Sequence, residues 1–209
     1  MIHRPSTLRA IRFGAILLCV VVAMAAYVRV RTARQAPLPV YWSLPAFSLV
    51  DQRGASVSSR DLEGKVVVAN LIYTRCPDVC PAVLEPNMAR LQSSARSAGL
   101  LGTRLMLVSL TADPGYDTPP VLADFAAHFS ADPSAWLFLT GNPDTVKGLI
   151  YGGFKLDVEP STSTDRVIHD SHVVLIDQRQ RVRGIYDGLD VGPGAILDDA
   201  KRLVESEGS

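Results

Sequence analysis

Cysteine is scarce in this chain. Its 209 residues hold three, and Cys19 lies inside an uncharged run from Phe13 to Val28, which leaves only Cys76 and Cys80 in the remainder. With no third cysteine there and no histidine pair at finger spacing, a four-ligand structural zinc site fits less well. Charge of one sign is lacking too. Lys plus Arg number 21 and Asp plus Glu number 21, so the basic excess of a nucleic-acid-binding domain is absent and no nucleic-acid partner is expected. No P-loop, G-x-G-x-x-G or G-x-S-x-G occurs, which removes the common phosphate cradles and the nucleophile elbow. Internal repeats and long low-complexity runs are missing as well.

What is present begins with the apolar run. Arg4, Arg9 and Arg12 precede Phe13–Val28, and Arg29, Arg31 and Arg34 follow it. As a helix the run spans about 24 Å, less than the roughly 30 Å hydrocarbon core, and flanking Arg side chains snorkel to close the difference. The first reading of residues 1–34 is a basic segment with a single membrane anchor. A cleaved signal peptide is the alternative, because Ala23-Met24-Ala25 offers a cleavage pattern. Residues 35–44, with Pro37 and Pro39, read as an extended tether, and 45–209 as one soluble domain. Arg counts are similar on both flanks, so the outward orientation rests on the signal-like layout and the thiols.

The two remaining cysteines share one loop, Tyr73-Thr74-Arg75-Cys76-Pro77-Asp78-Val79-Cys80-Pro81. The stretch before it, Val66 to Tyr73, is a β-branched apolar run of the kind found in central strands buried on both faces. Pro81 disfavours helical backbone at the residue before it, which predicts a helix from Pro81 with Cys80 at its cap. There the helix dipole stabilises a thiolate, the nucleophilic and metal-binding form of cysteine. Spacing leaves three outcomes open: a soft-metal site, a reversible disulfide, or a static pair. Strand, thiol loop and helix in that order resemble the redox loop of thioredoxin-like folds, with one extra residue between the cysteines.

Downstream, strand and helix alternate. Pro45–Asp51 reads as an edge strand turning at Gln52-Arg53-Gly54. Leu84–Ala98 reads as a helix closed near Gly99, Leu105–Leu110 as a strand, and Pro120–Phe129 as a helix. Ala135–Thr140 is expected as a strand, Asp144–Tyr151 as a helix, His172–Asp177 with Arg181–Tyr186 as a hairpin, and Ala195–Glu205 as a terminal helix. The fold expected is α/β, a mixed central sheet flanked by helices on both faces. Pro86 should kink the second helix or delay its start. Asp113 and Asp117 are expected to initiate turns and to cap the helix that follows. Trp42 and Trp136 are expected to pack.

The loop Tyr73-Thr74-x-Cys76-Pro77-Asp78-Val79-Cys80-Pro81 resembles the signature of the Sco/SenC family, thioredoxin-like copper-binding proteins of cytochrome c oxidase assembly. Asp113-Pro114-x-x-Asp117-Thr118-Pro119, Phe138-Leu139-Thr140-Gly141, and His169 placed eight residues ahead of Asp177 follow in the family's order. The likeness runs from about Pro45 to Leu203. It departs at Asp170, where the family commonly has a small hydroxyl residue, and at Pro86.

The resemblance implies copper held by Cys76, Cys80 and His169 and given to the copper-receiving subunit of a cytochrome c oxidase. Two thiolates and an imidazole suit Cu(I) in a trigonal site and hold Cu(II) if a further ligand approaches. His3 and His128 read as exposed or capping residues. His172 is the rival of His169; if Ile168–Asp177 is one strand, the two point to opposite faces and only one can meet the thiols. The expected role is a metallochaperone in the cytoplasmic membrane, its domain facing the periplasm; the mitochondrial inner membrane, facing the intermembrane space, is the second choice. A thiol-disulfide reductase serving a copper-receiving protein, and a copper or redox sensor, are the alternatives.

Overall fold

The computed structural model describes residues 16–25, 37–75, 80–155, 158–160, 167–169 and 171–206. The chain separates into two units, Met1–Pro37 and Leu38–Ser209. In the first, residues 16–25 are helical with exposed side chains. Among the described residues no helix is long and apolar enough to cross a membrane.

The second unit runs β1 (Trp42–Ser43), β2 (Ser48–Val50), β3 (Ser56–Ser58), β4 (Val66–Ile72), α1 (Glu85–Ser97), β5 (Leu105–Thr111), α2 (Pro119–His128), β6 (Trp136–Leu139) and α3 (Pro143–Gly148). It continues through β7 (Val158–Pro160), β8 (Val167–His169), β9 (His172–Ile176), β10 (Arg181–Asp187) and α4 (Pro193–Ser206). Six strands make the main sheet in the order β1-β10-β9-β4-β5-β6, while β2-β3 and β7-β8 are separate pairs. β4, β5 and β6 are parallel, and β9, β10 and β1 are each antiparallel to their neighbours. This is the mixed α/β sheet expected of a thioredoxin-like fold.

Every residue of β4 is buried, and its alternation divides the core. Val67, Ala69 and Leu71 face a cluster with Leu49, Val146, Leu149 and Phe154. Val66, Val68 and Ile72 face another with Met88 and Leu91 of α1, Leu122 of α2 and Leu203 of α4. Burying each of these large side chains contributes about 2 kcal/mol, so both faces must be covered for the strand to form.

Three expectations change. One edge strand of the main sheet, β1, lies within the stretch read as a tether; Trp42 pairs with Val182 and Ser43 with Arg181. β2 falls within Pro45–Asp51 as expected, turns at Gln52-Arg53-Gly54 to pair with β3, and bridges Thr140 through Val50. A two-residue strand carries no periodicity to read, and this one is held by Arg183, which donates to the carbonyls of Leu38 (2.6 Å) and Pro39 (2.8 Å). The helix after the cysteine loop opens as a π-helical turn, Cys80–Leu84, before α1 begins at Glu85. Pro86 therefore sits just past the junction of the π-helical turn with α1, in the first turn of the α-helical part. Finally, Ile168–Asp177 is not one strand: His169 ends β8, opposite Val158, and His172 opens β9, opposite Asp187.

Candidate metal centre

β4 delivers the cysteine loop at the C-terminal end of the sheet. Tyr73 is buried, Thr74 half-buried and Arg75 exposed. Cys76 lies outside the described residues. Cys80 is the first residue of the π-helical turn and His169 the last of β8; the side chains of both lie outside the described residues. Among the described residues no group of three or more His, Cys, Asp or Glu side chains could hold a metal. Cys19 is an exposed free thiol. His128 is exposed, with Nδ1 against the Asp124 carbonyl at 2.7 Å.

The platform beneath the loop is well defined. Asp117, expected at a helix cap, turns inward instead and is fully buried. Its carboxylate accepts from the Thr74 hydroxyl (2.5 Å), the Thr74 backbone N–H (3.2 Å) and the hydroxyl of Thr111. Thr74 follows β4 and Thr111 ends β5, so one acid ties the ends of two parallel strands where the loop departs. Burial raises the Asp117 pKa; the bonds from Thr111 and Thr74 oppose this rise, and the Asp113 charge adds to it. Hydrogen bonds to a charged acceptor are worth about 2 kcal/mol each, which suits a fixed hinge for the loop. Helix α2 starts from Thr118 without a side-chain cap.

Asp113 begins a turn as expected, its carbonyl accepting from the N–H of Tyr116 and of Asp117. Its carboxylate takes the Arg75 guanidinium at 2.5 Å, and the same guanidinium lies 4.4 Å from the Tyr116 ring centroid. These contacts orient the residue immediately before Cys76. Each is partly exposed and energetically modest.

A buried polar line below the loop escaped the sequence reading. Trp136 Nε1 donates to Ser109 Oγ (3.0 Å), Ser109 Oγ to Asn70 Oδ1 (2.7 Å), and Asn70 Nδ2 to Glu85 Oε1 (2.7 Å). Glu85 is fully buried and its Oε2 has no hydrogen-bond partner. Burial pushes its carboxyl up to about 8, against the opposing bond from Asn70, so the group is uncharged at neutral pH. The signal was available: Asn70 is the one polar residue inside an apolar strand, and Glu85 shares helical spacing with Met88, Gln92 and Ala95, all buried.

The thiol loop thus follows a fully buried strand, and Cys80 opens the π-helical turn that leads into α1. Soft sulfur donors with an imidazole form a donor set that fits copper.

The family model described as SCO1/SenC matches residues 42–205. Three solved structures are similar to this chain. A SCO1/SenC family lipoprotein from Bacillus anthracis is 34% identical, with 78% of this chain and 95% of that one covered and a TM-score of 0.71. BsSco, described as having a disulfide switch and as a member of the Sco family of cytochrome c oxidase assembly proteins, is 28% identical; 82% and 98% are covered, with a TM-score of 0.71. Bradyrhizobium japonicum ScoI with copper bound is 25% identical, with 77% and 99% covered and a TM-score of 0.61.

Proposed function

Because this chain belongs to the SCO1/SenC family, we propose that it is a copper carrier that loads the copper-receiving subunit of a cytochrome c oxidase. The observation that carries this reading is the pair Cys76 and Cys80 at the C-terminal end of β4, in a chain matched to the family over almost the whole of its second unit. Cys76, Cys80 and His169 hold the ion. Binding releases the thiol protons, and three ligands leave an approach open through which a receiving protein's ligand enters before the first set lets go. The copper-bound ScoI structure and the oxidase-assembly role given for BsSco support the cargo and the destination.

The apolar run Phe13–Val28, with Arg on both sides, anchors the chain in the cytoplasmic membrane with the second unit facing the periplasm. The lipoprotein described from Bacillus anthracis supports a membrane-held relative.

The disulfide switch described in BsSco favours a second reading, thiol-disulfide reductase. In it the Cys76–Cys80 dithiol gives two electrons and two protons to a disulfide of the receiving protein and becomes a disulfide itself. The two readings separate in one experiment. The copper-loaded full chain in detergent is mixed with a metal-free, reduced oxidase copper domain, and in parallel the copper-free reduced chain is mixed with the oxidised domain. A carrier moves about one copper per chain in the first mixture. Thiol transfer in the second mixture without copper movement in the first would replace the carrier with the reductase.

A further inference from the structure

Beyond Gly148, α3 runs on into a second π-helical turn, Leu149–Phe154. Leu149, Ile150, Gly153 and Phe154 of that turn are buried, whereas Lys147, Gly148, Tyr151, Gly152 and Lys155 are exposed. The spacing gives one solvent-facing stripe. β1 lies against its end: Trp42 Nε1 donates to the Gly153 carbonyl, and Lys155 Nζ stands 5.4 Å from the Trp42 ring centroid. The Tyr41 ring is 5.9 Å from that of Trp42, and Lys147 Nζ stands 5.9 Å from the Tyr151 ring. Val40 is 52% exposed, Tyr41 53% and Tyr151 40%. Two of the chain's four lysines thus lie over aromatic rings on one face.

Single exposed apolar residues are ordinary on a protein surface, but Tyr, Trp and Val clustered with lysines over the rings make up the composition of a membrane–water interface. There the rings settle at headgroup level, and each lysine stem covers apolar surface while its ammonium reaches a phosphate. At Gly148 and Gly152 an added Cβ would meet nothing, so the stripe is open to a broad surface. Asp144, exposed at the start of α3, is the acid on this helix; Lys147 and Lys155 against it leave one net positive charge. Val40 follows the end of the apolar run at Val28 by twelve residues, a reach of at most about 43 Å. We propose that this stripe docks on an anionic lipid surface and holds the second unit against the membrane. The nearness of the membrane rests on the anchored reading of Phe13–Val28; the docking itself rests on charge and composition.

The full chain, placed in phosphatidylcholine vesicles with and without phosphatidylglycerol, tests this when acetylation by a membrane-impermeant reagent is read lysine by lysine. Lys201 of α4, whose helix packs in the cluster on the other face of the sheet, is the internal control. On anionic vesicles Lys147 and Lys155 should react about fivefold more slowly than on neutral ones, the worth of one net charge near such a surface. Lys201 should be unchanged, and high salt should restore the rate. Lys147→Glu, an exposed change, should return Lys155 to its neutral-vesicle rate. Equal rates on both vesicles, a slowing shared by Lys201, or a slowing that survives high salt or Lys147→Glu overturns the docking. So does a slowing that follows protein density rather than lipid charge, which a second copy seated on the stripe would give. Flotation with neutral vesicles judges the anchor separately: a chain that fails to float there overturns the anchored reading, and its lysine rates on anionic vesicles still judge the stripe.

Discussion

Cys76→Ser and Cys80→Ser, each alone, should abolish tight copper binding in an otherwise folded protein. A serine hydroxyl stays protonated at neutral pH and is a hard donor, so either change leaves a soft ion with one sulfur and one imidazole. The expected loss is several orders of magnitude in affinity, measured as Cu(I) retained against a competing chelator. Folding should survive, because serine differs from cysteine by a single atom and the described core clusters are apolar residues of the sheet and helices. His169→Ala should act in the same direction. His172→Ala should change little, since His172 belongs to the start of β9, in register with Asp187. Full retention of copper by either serine variant would remove that cysteine from the site.

The second large effect is expected at Glu85, and it concerns stability against pH. Burial raises the Glu85 pKa to about 8 in the fold, against 4.5 for the ordinary side chain. Below the lower value the carboxyl is neutral in both states and its contribution is fully present. As pH rises from there, the unfolded chain loses the proton while the folded one keeps it, so stability falls through this window and levels off above the folded pKa. The slope is about 1.4 kcal/mol per pH unit, and the whole fall is on the order of 5 kcal/mol. Glu85→Gln keeps the size of the side chain and an acceptor for Asn70 but cannot ionise. Its urea midpoint should therefore lie near that of wild type at pH 5 and above it at pH 8. Wild type and the glutamine variant falling in parallel across that range would mean that Glu85 is not held neutral.

These two expectations differ in how far the sequence announces them. The thiol loop is legible because an apolar run broken only by Asn70 has the pattern of a doubly covered strand, and β4 is buried at every residue. The helix closed near Gly99 is equally plain, as Gly99 adopts a φ of +70° after the last turn of α1. Asp117 is read wrongly for a physical reason. Acid followed by Thr-Pro-Pro is a helix-start pattern, and only the pairing of β4 with β5 brings Thr74 and Thr111 within reach of its carboxylate. Trp42 is expected to pack, and it does so through tertiary contacts, with Nε1 donating to the Gly153 carbonyl at 2.6 Å. The π-helical turns at Cys80–Leu84 and Leu149–Phe154 have no sequence marker; the first appears only as the discomfort of Pro86. Choosing between His169 and His172 by strand alternation fails in its premise, because the two belong to different strand pairs. The choice of His169 rests on its place in the family's pattern.

X-ray absorption at the copper edge, on the full chain loaded with one equivalent of Cu(I), is the most direct measurement. The account predicts a first shell of two sulfurs and one imidazole nitrogen, with the nitrogen lost in His169→Ala and kept in His172→Ala. A first shell without sulfur, or a nitrogen that survives in His169→Ala and disappears in His172→Ala, would contradict it.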